Sequence, residues 1–202
     1  MTQSAALFAM AYAAALAGLL GHASERRRRP WLTLAICATL GACLLCQWLV
    51  PPLLAALQRD AVAISAGQWW RLATALFFQD GGIRGGVFNI ALLLFVGAVA
   101  EQRMQRTRWI AIYLIGGVAS ECLALYWQPV GAGNSIATCA LAGSVLVLAG
   151  RPDRRWPSAA LRILAVASAL LLLGKRDIHG AAFVLGAALG AILGKVKGAR
   201  NN

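Results

Sequence analysis

Residues 133–149 read GNSIATCALAGSVLVLA, an apolar run of helical length that opens with a glycine, an asparagine and a serine. A second apolar run opens at His179, and one further apolar run lies between the two. Two membrane crossings return a chain to the side from which it started, so Ser135 and His179 are predicted at the same depth. Stranding a polar side chain in hydrocarbon costs roughly 1 to 3 kcal/mol or more. The pair therefore predicts a site that is lined by protein and water.

The composition is that of an integral membrane protein. Hydrophobic residues make up 60% of the 202 residues, and the mean hydropathy is +0.69; soluble domains are only about 45 to 50% apolar. Apolar runs of about 17 to 25 residues with few charges predict membrane-spanning helices. The predicted spans are residues 4–22, 31–50, 85–100, 109–127, 132–149, 158–174 and 178–194. They leave no room for a soluble domain.

The net charge of +12 is concentrated in alternate loops. If every span crosses once, one side receives Arg26 to Arg29, Arg103, Arg106, Arg108, Arg151, Arg154, Arg155, Lys195, Lys197 and Arg200, and the other side receives Arg59, Arg71, Arg84, Lys175 and Arg176. The positive-inside rule then predicts a cytoplasmic C-terminus and an external N-terminus. Nucleic-acid binding is not expected, because the basic residues do not follow one face or tail.

Three further features of the sequence concern the first span, metal binding and the cysteines. The first span is expected to be a retained anchor, because no basic residue precedes it and a run of arginines follows it, the reverse of a cleavable signal. No metal or other cofactor is expected, since His22 and His179 have no ligands at useful spacing. The cysteines lie inside apolar spans and are expected to pack there without disulfides, at positions 37, 43, 46, 122 and 139.

Small residues recur on the two spans that begin at Ser135 and His179. One stripe comprises Ala182, Gly186, Gly190 and Gly194; the other comprises Ser135, Cys139, Ala142 and Gly143. Stripes of this kind let helix backbones approach closely. Close approach is what a hydrogen bond of about 2.6 to 3.2 Å between a serine and a histidine needs.

Over residues 31–196 the chain resembles the rhomboid family of intramembrane serine proteases. Six elements appear in the family's order: Trp70-Arg71, Phe88-Asn89, Gly97 to Glu101, Gly133 to Ser135, Ala140 to Gly143, and His179 with Gly186. The resemblance implies an all-α polytopic membrane protein, a six-helix bundle with one extra N-terminal transmembrane helix. Residues 1–30 would then be an anchor and basic loop, 31–197 the membrane domain, and 198–202 a short tail.

The resemblance also implies a mechanism. Ser135 would attack the scissile carbonyl and His179 would accept its proton, in a dyad without an acidic third member. The Ser135 backbone N–H and the Asn89 side chain would hold the oxyanion, with Gly133 in support. The substrates would be transmembrane segments of other proteins, cut near the outer face in a lipid bilayer. A bacterial inner membrane suits the compact chain, and no oligomeric state is predicted.

Three positions depart from the family's pattern. Ile136 replaces a glycine after the serine, Gly85 replaces a histidine before the asparagine, and Cys139 replaces an aromatic residue that stacks on the histidine. Gln79 and Asp80 are candidates to replace the lost oxyanion donor, because they are polar and near in sequence.

Glu121 is a carboxylate inside a predicted span. Intramembrane carboxylates usually find a cation. Glu121 is expected to pair with Arg84, Arg71 or Lys175, or to orient a catalytic group.

Two other functional classes stay open. The three departures suit a catalytically inactive relative that binds transmembrane clients without cutting them. A small transporter or assembly factor is the third class; it would be expected to carry paired broken helices or more ionisable residues near midplane.

Overall fold

The computed structural model describes residues 3–20, 29–148 and 156–198. The first helices are α1 (Gln3–Leu20), α2 (Trp31–Leu49) and α3 (Pro52–Leu57), followed by strand β1 (Arg59–Asp60), α4 (Ala61–Ser65), α5 (Arg71–Thr74) and α6 (Gly82–Arg103). Next come α7 (Arg106–Ala111), a π-helical segment (Ile112–Gly116), α8 (Gly117–Trp127), strand β2 (Val130–Gly131), α9 (Ser135–Leu148), α10 (Trp156–Gly174) and α11 (Ile178–Gly198). His22 and the basic residues at 26–28, 151, 154, 155 and 200 lie outside the described residues.

Each predicted span corresponds to a helix in the described parts of the chain. Four helical stretches there are long and apolar enough to cross a membrane, namely Trp31–Leu49, Gly82–Arg103, Arg106–Trp127 and Pro157–Gly174. The other three are shorter apolar helices, Ala5–Leu20, Ser135–Leu148 and Ile178–Gly194. The expected fold class is therefore confirmed, because the chain is an all-α polytopic membrane protein.

A small strand pair joins two loops and was not predicted. β1 pairs antiparallel with β2, with Arg59 opposite Gly131 and Asp60 opposite Val130. Asp60 then caps α4, because its Oδ1 accepts the backbone N–H of Val62 at 2.9 Å. Strands of two residues leave no periodic signal in a sequence, which explains why hydropathy did not indicate them. The pairing holds the long loop after α2 against the loop that leads into α9.

Helix α9 is the centre of the bundle, and its residues from Ser135 to Leu146 are all buried. It packs against α11 most closely, and also against α1, α6, α8 and the π-helical segment. A Cβ on Gly143 would collide with the Phe183 carbonyl oxygen, and one on Gly190 would lie 2.9 Å from the Ser144 Cα. The predicted close approach of these two helices is confirmed, although the α9 residues that meet Gly186 and Gly190 are Ala140 and Ser144, outside the predicted α9 stripe.

Helix α1 lies against α10, α9 and α6. Its packing face is made of alanines that are almost fully buried, including Ala11, Ala14 and Ala17. At its C-terminal end, a Cβ on Gly18 would lie 3.1 Å from Val99 Cγ1 of α6. The first predicted span is thus a packed part of the bundle.

Candidate active site

Ser135 and His179 lie at the N-terminal ends of neighbouring helices. Ser135 is the first residue of α9 and His179 the second of α11, and Ser135 Oγ lies 2.9 Å from His179 Nε2. Ser135 is buried, while the His179 side chain keeps 19% exposure. A serine and a histidine within hydrogen-bond distance form the arrangement of an activated nucleophile and its base.

An aspartate supports the other side of the histidine ring. His179 Nδ1 donates to Asp177 Oδ1 at 2.6 Å, and the same oxygen accepts the His179 backbone N–H at 3.0 Å. The structure thus places an acidic side chain against His179, where the resemblance implied a serine and histidine pair without an acidic third member. The sequence did hold a signal, because an aspartate just before a helix is a frequent N-cap and its carboxylate reaches the residue two positions on.

The charge of Asp177 is set by this contact in the turn between α10 and α11. Burial raises the pKa of its carboxyl. The hydrogen bonds from the His179 ring and backbone, together with the attraction of that ring, act in the opposite direction and outweigh burial. The pKa of Asp177 consequently lies below its ordinary value, and the carboxylate form is favoured.

Three amide side chains form a closed network beside the serine. Asn89 Nδ2 donates to Gln79 Oε1 at 2.9 Å, and Gln79 Nε2 donates to Asn134 Oδ1 at 2.9 Å. Asn134 Nδ2 then donates to the backbone carbonyl of Asn89 at 3.1 Å. Gln47 of α2 fixes the Gln79 backbone, since its amide both donates to the Gln79 carbonyl and accepts the Gln79 N–H. Asn134 and Gln47 were not among the predicted site residues.

Gly133 keeps open the space in which these groups meet. A Cβ on Gly133 would lie 3.2 Å from Ser135 Oγ, 3.5 Å from Asn89 Nδ2 and 3.7 Å from Gln79 Oε1. The Gly133 backbone N–H donates to the Ala75 carbonyl at 2.9 Å, which anchors the loop. The serine hydroxyl and the Asn89 amide therefore face one small volume that a side chain at position 133 would fill.

Asp80 holds the same loop from the other side. Its Oδ2 accepts the Ala132 backbone N–H at 3.0 Å, and its own N–H donates to the Ala132 carbonyl at 3.1 Å. Asp80 is exposed and lies on the wall of a cavity of about 220 Å³. The lining of this cavity is Arg59, Asp80, Gln128, Val130, Ala132, Gly133, Ser135, Ile136, Ile178 and His179.

Glu121 pairs with a cation that the sequence did not indicate. Its carboxylate forms a buried ion pair with Arg59, so the expectation of Arg84, Arg71 or Lys175 is wrong. Strand pairing places Arg59 beside Gly131, and its Nε also donates to the Gln128 carbonyl at 2.8 Å. Because the partners are 62 residues apart, only the path of the long loop could bring them together.

Two of the family-like elements stabilise the bundle away from Ser135. Glu101 lies about 18 Å along α6 from Asn89 and accepts the Thr33 backbone N–H at 3.0 Å and the Arg106 guanidinium at 3.0 Å. Arg71 donates to the Ala55 and Gln58 carbonyls of the long loop.

The three departures differ in their surroundings. Ile136 lines the cavity and Cys139 is fully buried in the core. A Cβ on Gly85 would meet nothing within 4 Å. Among the described residues, no group of three or more His, Cys, Asp or Glu side chains could hold a metal ion.

Comparison with known proteins agrees with this architecture. The family model described as Rhomboid domain matches residues 66–200. The Rhomboid protease AarA of Providencia stuartii is 29% identical over 69 residues, which are 34% of this chain and 24% of that protein. The match thus spans about a quarter of that relative, and a search of the solved structures finds no match. Since the family model covers more than half of its length, the chain belongs to the rhomboid family.

Proposed function

We propose that the protein is an intramembrane serine endopeptidase that cleaves transmembrane segments of other membrane proteins near the outer face. The observation that carries this proposal is the 2.9 Å separation of Ser135 Oγ and His179 Nε2. Both residues lie in the first turn of their helices, and within the described residues α10 is the one helix between α9 and α11. Water can therefore reach them from the same side of the bilayer.

The proposed reaction has two stages. Ser135 Oγ attacks the scissile carbonyl while His179 Nε2 takes the hydroxyl proton, and the resulting tetrahedral intermediate carries the negative charge on the former carbonyl oxygen. His179 then gives that proton to the leaving amine as the peptide bond breaks. In the second stage His179 accepts a proton from water as the water oxygen attacks the acyl carbon. His179 then gives that proton to Ser135 Oγ as the ester bond breaks, which releases the new carboxyl end and restores the free serine.

Two donors are available for the oxyanion. Ser135 is the first residue of α9, so its backbone N–H has no acceptor within the helix. The Asn89 amide carries two N–H donors and gives one of them to Gln79, which leaves the second for the volume beside Gly133. Gln79 supports Asn89 in this proposal and does not replace the family's histidine as a direct donor. Each oxyanion donor contributes about 2.7 to 4 kcal/mol in serine proteases.

In this proposal the protein lies in a bacterial inner membrane, with its N-terminus outside and its C-terminus in the cytoplasm. The wall of the cavity then faces outward, and substrates reach it through the lipid bilayer. A peptide bond inside a helix is shielded by its own hydrogen bonds, so the substrate segment must unwind locally before attack.

Labelling with a serine-directed fluorophosphonate tests the proposal on the full chain in detergent. We expect the native protein to be labelled and Ser135→Ala and His179→Ala to be unlabelled. Ser144→Ala is the matched control, because Ser144 is a buried serine of the same helix whose hydroxyl donates to the Leu141 carbonyl. Equal labelling of native protein and Ser135→Ala, or of neither, would overturn the proposal and favour an inactive protein that binds transmembrane clients.

A further inference from the structure

The Asp177 carboxylate makes two hydrogen bonds to a single residue. Its Oδ1 accepts the His179 backbone N–H at 3.0 Å and the ring Nδ1–H at 2.6 Å. A carboxylate only accepts, so the ring must carry its proton on Nδ1 when this bond forms. The other nitrogen, Nε2, is then left with a lone pair that faces Ser135 Oγ. The contact thus selects the tautomer in which His179 can act as a base.

Helix capping accounts for only one of these bonds. An N-cap side chain needs to accept one backbone N–H of the first turn, and serine or asparagine does so as well as aspartate. The bond to the ring goes further than a cap requires. It also places a carboxylate that is 6% exposed beside a group that becomes positive during the reaction. Burying an unpaired carboxylate would cost free energy, and the hydrogen bond from the imidazole lowers that cost for Asp177.

The turn that presents Asp177 is held tightly. Arg176 adopts a left-handed conformation, with φ of 54°, which ends α10 and reverses the chain. The Asp177 backbone N–H then donates to the Leu172 carbonyl at 2.9 Å. The carboxylate is therefore fixed relative to both helices and cannot be an exposed group that meets the ring by chance.

Other charged groups lie near His179, but none occupies the same position. Glu121 on α8 lies within electrostatic range of the ring, yet its carboxylate is paired with Arg59 of β1. Asp80 stands on the cavity wall and accepts a backbone N–H of the loop before α9. Cys139 of α9 is fully buried in the core. Asp177 alone among these groups bonds to the ring.

We propose that Asp177 is a positioning residue for His179, so that this chain works as a Ser135–His179–Asp177 triad. The proposal rests on the proposed function and deepens it. Asp177 orients the imidazole, holds its tautomer and stabilises the imidazolium that forms when Ser135 loses its proton; it takes up no proton itself. In serine proteases of other folds, replacing the acidic member by its amide lowers turnover by about 10⁴-fold.

Two substitutions separate positioning from capping. Asp177→Asn and Asp177→Ser both retain a good N-cap acceptor for α11, and neither supplies a carboxylate to the ring. We expect both variants to keep the thermal unfolding midpoint of the native chain within a few degrees at neutral pH. We expect their rates of fluorophosphonate labelling to fall by about 10²- to 10⁴-fold. Asp177→Glu, which keeps the charge, should recover part of the rate.

A pH profile and a spectrum provide readouts that a purely structural role would leave unchanged. Without the carboxylate the imidazolium is less stabilised, so the acid limb of the labelling profile should move to lower pH in Asp177→Asn. In the native chain, proton NMR should show a far-downfield Nδ1–H resonance, assigned by its loss in His179→Ala and absent from Asp177→Asn.

The outcomes distinguish the two proposals. Asp177 would be shown only to cap α11 if Asp177→Asn labelled at the native rate, if its acid limb did not move, and if the native chain gave no downfield resonance. Ser135 and His179 would then stand as a pair. Loss of labelling in Ser135→Ala together with full labelling in Asp177→Asn would overturn the triad alone. Labelling that survives in Ser135→Ala would overturn the proposed function itself.

Discussion

Gly186 of α11 lies directly against the backbone of Ala140 in α9, so closely that a Cβ on Gly186 would collide with the Ala140 carbonyl oxygen. This contact stands one to two turns below Ser135 and His179 along the same two helices. It sets both the separation and the register of the helices. The 2.9 Å contact between the serine and the histidine depends on a backbone approach that only glycine allows at this position.

Gly186→Ala should therefore impair both stability and reactivity. The added methyl group must push α11 away from α9, and overpacking of this kind costs about 1 to 3 kcal/mol. We expect a lower unfolding midpoint in detergent and slower fluorophosphonate labelling. Gly41→Ala in α2 is the matched control, because a Cβ there would meet nothing within 4 Å. Native behaviour of Gly186→Ala would show that the helices can separate without affecting the site.

The buried ion pair between Arg59 and Glu121 should show strong coupling. Arg59→Met leaves a buried carboxylate without its cation, which we expect to cost about 3 to 5 kcal/mol of unfolding free energy. The double variant Arg59→Met, Glu121→Leu removes both charges and should be closer to native than Arg59→Met alone. Denaturant titration of the single and double variants measures the coupling. Arg84→Met is the control for loss of an exposed arginine. Additive effects of the two substitutions would contradict the pairing.

Gln79 should act on the reaction through Asn89. Asn89→Ala removes an oxyanion donor and should slow labelling by about 10²- to 10³-fold. Gln79→Ala leaves the Asn89 amide without its acceptor and should slow labelling less. Because the second effect passes through the first, the double variant should be no slower than Asn89→Ala. Thr39→Ala, at an exposed position of α2, is the control. If the reduction in labelling in the double variant equalled the product of the two single reductions, Gln79 would act independently of Asn89.

Asp177 should make stability depend on pH at the acid end. Its pKa is depressed in the folded protein, so the folded state binds this proton less readily than the unfolded state, whose aspartates titrate near pH about 3.9. The resulting stabilisation is complete above that pH and disappears as the pH falls towards the depressed pKa. The difference in unfolding midpoint between the native protein and Asp177→Asn should therefore stay constant from neutral pH down to about pH 5 and shrink as the pH falls further. A difference that also stays constant at lower pH would contradict this prediction.

Much of the fold could be predicted because hydropathy is a local property. Runs of apolar residues gave the positions of the long helices, and the stripe at Gly186 and Gly190 predicted which helices approach closely. The helix ends were less accurate; α6, for example, begins at Gly82 and not at residue 85. The extra turn there is not apolar, so a hydropathy window does not include it.

The candidate site was predictable in part. Counting two crossings between Ser135 and His179 was enough to place them at one depth, and a 2.9 Å contact followed once the glycines allowed close packing. Asp177 was within reach of sequence reasoning, because its bonds to His179 span only two residues and follow from a helix cap. It was missed because the resemblance implied a pair without an acid.

The sequence by itself determined the membrane class, the order of the helices and the placement of Ser135 and His179 at corresponding ends of two of those helices, because each depends on residues that are close along the chain. Only the tertiary structure decided that Arg59 pairs with Glu121 and that amides from α6 and two separate loops, Asn89, Gln79 and Asn134, form one network. Those partners are brought together by the path of a long loop and by a strand pair of two residues. The free energy of such contacts is gained only in the assembled bundle, so no stretch of sequence carries their signal.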